Sequence, residues 1–285
     1  MISIILLSLV GIVAIYLWEN KVIEVVRVEV PIKGLAPDLD GFSIAQLSDL
    51  HGRRLNGRWV KEQLTKANVD AIALTGDYVR AAELNGMAQL EPLLALLPQI
   101  APTFAVSGNH DIAAGWPQIA RLLRQQGITV LDDTYTTITR GNAQLVIAGI
   151  SYPHDSLSSL ERALPSTTDP IVLLAHSPRL FMQERIVDYL GEPVMKREEM
   201  MAYTELAERP ALTLVGHTHG GQIKLPLLGA VTTASGELFP RHYIEGPSWE
   251  GSGWLYISRG LGYTGLPLRF LSRPELTIIT LKRAG

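Results

Sequence analysis

The sequence of 285 residues contains no cysteine. Disulfide bonds, thiolate metal ligands and cysteine nucleophiles are therefore excluded together. Any metal ion bound by this protein must be held by nitrogen and oxygen atoms. The absence of cysteine does not indicate a cellular compartment, because a cysteine-free protein can work on either side of a membrane.

An excess of charge of either sign is also missing. The chain has 25 Lys and Arg against 28 Asp and Glu, a formal net charge of −3. No basic surplus indicates a nucleic-acid partner, and no block of like charge indicates a tail. We find no internal repeat, low-complexity tract or linker, so the sequence predicts a single globular domain over residues 21–285.

Residues 1–18 form one long apolar run in which Ser3 and Ser8 are the only polar members. A helix of this length spans about 27 Å, close to the roughly 30 Å hydrocarbon core of a bilayer. A cleaved signal peptide is the alternative, but the run has neither a basic start nor a small-x-small cleavage site. We therefore expect residues 1–20 to form a transmembrane anchor. Basic residues follow the run and none precedes it, which favours a cytoplasmic location for the domain.

The rest of the chain alternates short apolar runs with helix-like stretches, and its later part is rich in strands. This pattern predicts an α/β domain with a mixed sheet or two sheets. Residues 22–31 alternate apolar and polar side chains and predict an edge strand. The other predicted strands are residues 42–47, 71–75, 103–106, 145–149, 171–175, 212–215, 254–258 and 276–281, and the predicted helices are residues 57–67, 87–97, 116–126 and 156–163.

Residues 182–210 form a long, highly charged segment that contains several methionines. One interpretation is a solvated helical excursion. The other is a lid, or a surface that contacts a membrane or an acyl chain, since methionine adapts to irregular apolar partners.

Five of the apolar runs end in polar clusters, at residues 48–51, 75–77, 107–111, 175–178 and 216–219. Ligands of open α/β sheets bind at the carboxyl ends of the strands. Asp49 and Asp77 alone would be typical N-caps, and residues 108–111 alone a typical turn. Caps and turns do not require histidine, however, and five of the seven histidines lie in four of these clusters. The joint pattern therefore predicts a metal centre.

The candidate ligands are too numerous for one ion. A catalytic zinc ion uses about three protein ligands and a water molecule. Two ions about 3.5–4 Å apart can share a carboxylate and act on both the attacking and the leaving oxygen at phosphorus. The ligands we predict are Asp49, His51, Asp77, Asn109, His176, His217 and His219. His217 and His219 are two residues apart, so in extended backbone both rings point to the same side.

The motifs Asp-x-His, Gly-Asp, Gly-Asn-His-Asp, a lone His and Gly-His-x-His, in this order, resemble the calcineurin-like metallophosphoesterase superfamily over residues 35–281. Residues 48–51, 216–222, 258–262, 269–270 and 274–276 are most similar to its membrane-associated bacterial branch. That branch includes broad phosphodiesterases and UDP-diacylglucosamine pyrophosphatases of lipid A synthesis. The resemblance implies a four-layer α/β/β/α sandwich with two mixed sheets.

The resemblance also implies roles for the candidate residues. Asp77 would bridge the two metals, and His110, oriented by Asp111, would protonate the leaving group or stabilise the transition state. The first metal would be bound by Asp49, His51, Asp77 and His219, and the second by Asp77, Asn109, His176 and His217.

Three arginines near the motifs, Arg53, Arg54 and Arg259, are candidate phosphate contacts, although solvated surface arginines are an equal interpretation. His154 and His242 lie outside every cluster and are expected in loops.

We therefore expect a membrane-anchored enzyme that hydrolyses a phosphodiester or phosphoanhydride bond by metal-activated hydroxide. The cofactors would be two divalent ions, Mn²⁺ first and Zn²⁺ or Fe next. A narrower alternative is a UDP-2,3-diacylglucosamine pyrophosphatase acting on a lipid-linked nucleotide. An alternative of another class is a membrane-tethered metal-binding scaffold without turnover, against which the intact pair of His110 and Asp111 argues.

Overall fold

Short aliphatic runs and amphipathic helices alternate along the chain. The computed structural model describes residues 2–81, 83–154, 156–182, 196–230 and 239–285, and only the backbone of residues 2–9. The helices are α1 (Ile2–Lys21), α2 (Gly57–Lys66), α3 (Gly86–Leu94), α4 (Asn109–Ala114), α5 (Trp116–Gln125), α6 (Leu157–Ala163) and α7 (Arg197–Ala207). The strands are β1 (Glu24–Lys33), β2 (Ser43–Leu47), β3 (Ala71–Leu74), β4 (Thr103–Ala105), β5 (Thr129–Val130), β6 (Thr134–Arg140), β7 (Ala143–Gly149), β8 (Ile171–Leu174), β9 (Leu212–Val215), β10 (Lys224–Leu225), β11 (Gly229–Ala230), β12 (Gly246–Glu250), β13 (Gly253–Ile257) and β14 (Glu275–Ala284).

Within the described ranges, the strands form two six-stranded sheets and a short hairpin of β10 and β11. The first sheet has the order β1-β14-β2-β3-β4-β5, and the second has the order β12-β13-β9-β8-β7-β6. Strands β2 to β5 are parallel, and β14 is antiparallel to β2. In the second sheet β13, β9, β8 and β7 are parallel, while the outer strands β12 and β6 are antiparallel to their neighbours. Both sheets are therefore mixed.

The two sheets face each other across one apolar core. Ile44 and Ile279 of the first sheet pack in it with Leu174, Leu214 and Tyr256 of the second. The other face of the first sheet is covered by α2, α3 and α5, and the other face of the second sheet by α6 and α7. Strands covered on both faces need continuous aliphatic sequences, which explains the unbroken apolar runs. The predicted α/β sandwich with two mixed sheets is confirmed.

The predicted elements agree closely with the observed ones. Each predicted strand and helix has an observed counterpart whose bounds differ by a few residues. The predicted edge strand at residues 22–31 is β1, which pairs in parallel with β14 at the edge of the first sheet. The short helix α4 was not predicted as a helix, because its first residues form one of the polar clusters.

The predicted transmembrane anchor is not supported by the structure. Among the residues that the structure describes, no helix combines the length and the apolar character needed to cross a membrane. The carboxyl end of α1 packs on the domain: the Asn20 side chain accepts a hydrogen bond from the backbone N–H of Arg269, at 2.6 Å.

The charged segment at residues 182–210 is helical over part of its described length. Its residues 197–207 form α7, and Tyr203 and Ala207 are buried against the second sheet. This part therefore belongs to the outer helix layer. Residues 183–195 lie outside the described residues, so the predicted lid stays a prediction.

The inner core makes a direct stability prediction. Leu214 is fully buried between the sheets, so Leu214→Ala should lower the free energy of unfolding by about 2–5 kcal/mol, the usual cost of such a cavity. Denaturant unfolding measures the change. Leu122→Ala on the exposed side of α5, where the side chain is 37% exposed, is the control and should change stability by less than about 0.5 kcal/mol. Equal effects of the two variants would contradict the two-sheet core.

Candidate metal centre

The turns that follow the central strands are backbone-strained. Asp49, His51, Asp77, His217 and His219 all have φ between +45° and +72°. This left-handed region costs an L-residue roughly 1–2 kcal/mol. Such strain concentrates at functional sites, where the surrounding structure imposes it. Here it is imposed at five of the seven predicted ligands.

The first group of predicted ligands is Asp49, His51 and His219. Nε2 of His51 lies 3.1 Å from Nε2 of His219. Oδ1 of Asp49 lies 3.4 Å from Nε2 of His219 and 4.0 Å from Nε2 of His51. All three side chains are buried. Nitrogen and oxygen atoms that could bind one cation therefore converge in this group.

The second group is Asn109, His176 and His217. Oδ1 of Asn109 lies 3.0 Å from both Nε2 of His176 and Nδ1 of His217. The two histidine nitrogens are 3.2 Å apart. The strands that position these residues, β4, β8 and β9, belong to different sheets, so the group forms only because the sheets end at one common edge.

Asp77 joins the two groups. Its Oδ2 lies 3.5 Å from Nε2 of His51 and 3.3 Å from Nε2 of His176. Its Oδ1 accepts a hydrogen bond from the backbone N–H of His110. Its side chain is only 2% exposed. All seven predicted ligands thus lie in one continuous cluster, with Asp77 in the middle.

Two of the histidines have a tautomer set by the backbone. Nδ1–H of His51 donates to the carbonyl of Val79 at 3.2 Å, and Nδ1–H of His176 donates to the carbonyl of Thr75 at 2.8 Å. The Nε2 atoms that face the cluster then have a free lone pair in the neutral ring. Metal-binding histidines generally have this second hydrogen bond.

His219 is held differently, by Arg269, which was included in the family resemblance without being given a role. The guanidinium of Arg269, 1% exposed, lies 3.0 Å from Nδ1 of His219 and donates to the carbonyls of Gly262 and Ser272. Arginine only donates hydrogen bonds, so Nδ1 of His219 accepts. Burial lowers the pKa of Arg269 to about 9. The signal in the sequence was a single charge inside the apolar stretch 266–271.

The electrostatic field of the cluster favours a cation. Burial alone would lower the pKa of His176, but the charge and hydrogen bond of Asp77 outweigh it and raise that pKa to about 9. Burial opposes ionisation of Asp77, yet His176 and His51 hold its pKa well below the usual range. The negative charge at the centre therefore attracts positive charge strongly.

His154 lies outside the helices and strands, as expected for a loop residue, but its side chain is buried. Its Nε2 accepts hydrogen bonds from the backbone N–H groups of His176 and Ser177, at 2.8 and 3.3 Å. Burial, followed by the charge of His176, lowers the pKa of His154 to about 3, which agrees with an accepting Nε2. Tyr203 of α7 donates to the carbonyl of His154. No spacing in the sequence indicated this support. His242, also predicted in a loop, is exposed and lies in the short 3-10 helical turn Arg241–Tyr243.

Asp111 does not contact the ring of His110, contrary to the predicted orienting role. Its carboxylate accepts hydrogen bonds from the backbone N–H groups of Asp77, Tyr78 and Gly108, at 2.7–2.9 Å. Burial and the charge of Asp77 raise the pKa of Asp111 to about 8. Asp111 therefore holds the turn of Asp77. Nδ1 of His110 instead accepts from the backbone N–H of Ala81, at 2.8 Å.

The three predicted arginine contacts differ in placement. Arg259 forms ion pairs with Glu275 at 2.6 Å and Glu24 at 2.9 Å, so the prediction of a phosphate contact is wrong for this residue: its guanidinium joins the starts of β1 and β14. Arg53 donates to the carbonyls of Asn20 and Leu261. Arg54 is exposed. Arg53 and Arg54 both line a cavity that also contains His51.

Comparison with known proteins agrees with this site. Residues 42–221 match the family model of the calcineurin-like phosphoesterases. The chain is 31% identical over 276 residues to the uncharacterized metallophosphoesterase YkuE of Bacillus subtilis, covering 93% of this chain and 87% of the relative. It is 30% identical over 249 residues to the phosphodiesterase YaeI of Escherichia coli, covering 84% and 82%. A transmembrane protein with metallophosphoesterase domain from Danio rerio is 29% identical, covering 92% of this chain and 58% of the relative.

The chain therefore belongs to the calcineurin-like phosphoesterase family. It is a hydrolase that acts on phosphoesters. The alternative of a metal-binding scaffold without turnover is not supported.

The site requires close backbone approach at Gly216. A Cβ atom there would lie 2.0 Å from Oγ of Ser48 and 2.2 Å from Oδ2 of Asp49. We expect Gly216→Ala to displace Asp49, to lower phosphodiester turnover at least about tenfold and to cost about 1–3 kcal/mol of stability through overpacking. Hydrolysis of bis-p-nitrophenyl phosphate and denaturant unfolding measure the two effects. In the control Gly57→Ala, the new Cβ meets one side-chain atom at 3.4 Å, and turnover should be unchanged.

Proposed function

We propose that this protein hydrolyses a phosphodiester or phosphoanhydride bond at a centre of two divalent metal ions. The observation that supports the proposal most is the position of Asp77, whose Oδ2 lies between Nε2 of His51 and Nε2 of His176 at 3.5 and 3.3 Å. A buried carboxylate oxygen shared by two histidine groups suits a bridging ligand.

The residues present fit two divalent ions. Buried imidazole nitrogens, carboxylates and an amide oxygen face one another, and such donors suit Mn²⁺, Zn²⁺ or Fe once the ligand nitrogens release their protons. In our proposal Asp49, His51, Asp77 and His219 bind one ion, and Asp77, Asn109, His176 and His217 bind the other. When bound, the ions lower the pKa of a water molecule and neutralise charge on the phosphoryl oxygens.

His110 is the proposed proton donor to the leaving oxygen. Its Nδ1 accepts from the backbone N–H of Ala81, so the proton of the neutral ring is on Nε2. The His110 ring packs edge-on against the His51 ring, with centroids 4.8 Å apart, which places it beside the cluster. Asp111 acts indirectly, because it holds the backbone of the Asp77 turn. Its loss would misplace the bridging carboxylate.

The bridging role of Asp77 predicts a loss of both metal and turnover. Asp77→Asn removes the negative charge and should reduce the bound Mn²⁺ to about one ion per chain or fewer, with at least about 10³-fold slower hydrolysis of bis-p-nitrophenyl phosphate. Elemental analysis after gel filtration measures the metal content. Glu198→Gln on the exposed surface of α7 is the charge-matched control and should retain both properties. Wild-type turnover of Asp77→Asn would overturn the proposal.

Membrane association is a separate proposal. It is supported by exposed apolar side chains on α1, such as Ile12 and Ile15 at 64% and 56% exposure, since a contiguous apolar surface favours a lipid environment. A lipid-linked substrate, including UDP-2,3-diacylglucosamine, is compatible with this placement. A cytoplasmic location of the domain stays a prediction from charge alone.

Deleting residues 2–18 tests the association. The deletion keeps Asn20, which contacts Arg269 and Arg53, so the domain should fold and hydrolyse bis-p-nitrophenyl phosphate at the wild-type rate. We expect the full chain in the membrane pellet at neutral pH and moderate salt, without a carbonate wash, and the truncated chain in the supernatant. The full chain in the supernatant would contradict the proposal, whatever the activity.

A further inference from the structure

The cavity lined by Arg53 and Arg54 adjoins the metal cluster on the side of His51. It has a volume of about 260 Å³, and its lining includes His51, Arg53, Arg54, Arg80 and Tyr263. His51 therefore faces two spaces: its Nε2 belongs to the cluster, and the residue also lines the cavity. This volume is slightly below the usual 300–1,000 Å³ of small-molecule sites, so it suits one anionic group of a larger substrate.

Arg80 is placed by the same backbone segment that orients two histidines of the cluster. The carbonyl of Val79 accepts from Nδ1 of His51, and the N–H of Ala81 donates to Nδ1 of His110. Arg80 lies between these two anchored residues. Its Cζ is 4.8 Å from the ring centroid of Tyr263, which orients the guanidinium by a cation–π contact.

The guanidinium of Arg80 is only partly satisfied. Its Nε is buried and has no hydrogen-bond partner in the part of the chain that the structure describes. Arg80 as a whole is partly exposed and lines the cavity, so an anion there can accept hydrogen bonds from the accessible donors of its guanidinium.

The charge of the lining favours an anion as well. Three arginines face the cavity and one carboxylate, that of Glu83, opposes them. Arg53 is also tied to the carbonyls of Asn20 and Leu261, so its position is set before a ligand binds. Clefts lined by one sign of charge concentrate counter-charged ligands, and planar guanidinium groups match phosphate oxygens.

We propose that this cavity binds a second phosphoryl group of the substrate, next to the one that reacts at the metal cluster. A phosphoanhydride has two adjacent phosphoryl groups, whereas a simple phosphodiester has one. The proposal therefore favours a phosphoanhydride as the substrate class. This inference rests on the proposed function, because it takes the cluster as the site of hydrolysis. Arg80 is the specificity residue, and Tyr263 and the segment 79–81 position it.

Competitive inhibition of bis-p-nitrophenyl phosphate hydrolysis tests the proposal, with imidodiphosphate and phosphate as inhibitors at a fixed free Mn²⁺ concentration. In the wild type, imidodiphosphate should bind more tightly than phosphate. Arg80→Met should raise the inhibition constant of imidodiphosphate about tenfold relative to that of phosphate, the loss expected for one charge-assisted contact. Arg80→Lys, which keeps the charge without the planar fork, should give an intermediate ratio.

Arg121→Met on the exposed face of α5 is the matched control and should keep the wild-type ratio. If Arg80→Met and Arg80→Lys also keep the wild-type ratio, the cavity does not bind a second phosphoryl group and the inference is wrong. If the wild type with Mn²⁺ loaded hydrolyses neither bis-p-nitrophenyl phosphate nor a phosphoanhydride such as UDP-glucose, the proposed function itself fails. The two failures are therefore distinguishable.

Discussion

The buried carboxylate of Asp77 is the group on which the site depends. An ionised carboxylate removed from water is costly unless it is paired and hydrogen-bonded. Here it is surrounded by His51 and His176, and it accepts from the backbone N–H of His110. Its own turn is held by Asp111, which binds the N–H groups of Asp77 and Tyr78. The neighbouring turn approaches so closely that a Cβ at Gly108 would lie 2.1 Å from Oδ1 of Asp77.

The frame that imposes this arrangement is the pair of facing sheets. A positive φ is unfavourable for an L-residue, and five residues of the site have one: Asp49, His51, Asp77, His217 and His219. In an isolated loop these residues would relax to a negative φ. The core between the sheets holds the strand ends in place, so the strain persists. The supporting groups differ among the histidines of the cluster. Backbone carbonyls hold two of the histidine rings, whereas the guanidinium of Arg269 lies behind His219.

Much of the fold could be predicted because its signals are local. The apolar runs of β8 and β9 and the polar residues that follow them identify both the strands and the edge at which they end. The seven candidate ligands assemble as a set, since strand order brings chain-distant ends together. The roles of the charged residues were harder to predict. Arg259 pairs with Glu24 and Glu275, residues far from it in the chain, and no pattern near it indicates these partners.

By itself the sequence determined the types of ligand, their order along the chain and the absence of sulfur chemistry, because these follow from residue identity and short-range spacing. Only the tertiary structure decided which atoms face the cluster. It showed that Asp111 holds a turn and forms no hydrogen bond with the His110 ring. It also showed that His154 supports His176 and that Arg80 and His51 line the same cavity. These assignments depend on contacts across two sheets. Ring orientation and the pairing of buried charges are set by the whole packed environment, which no single stretch of sequence contains.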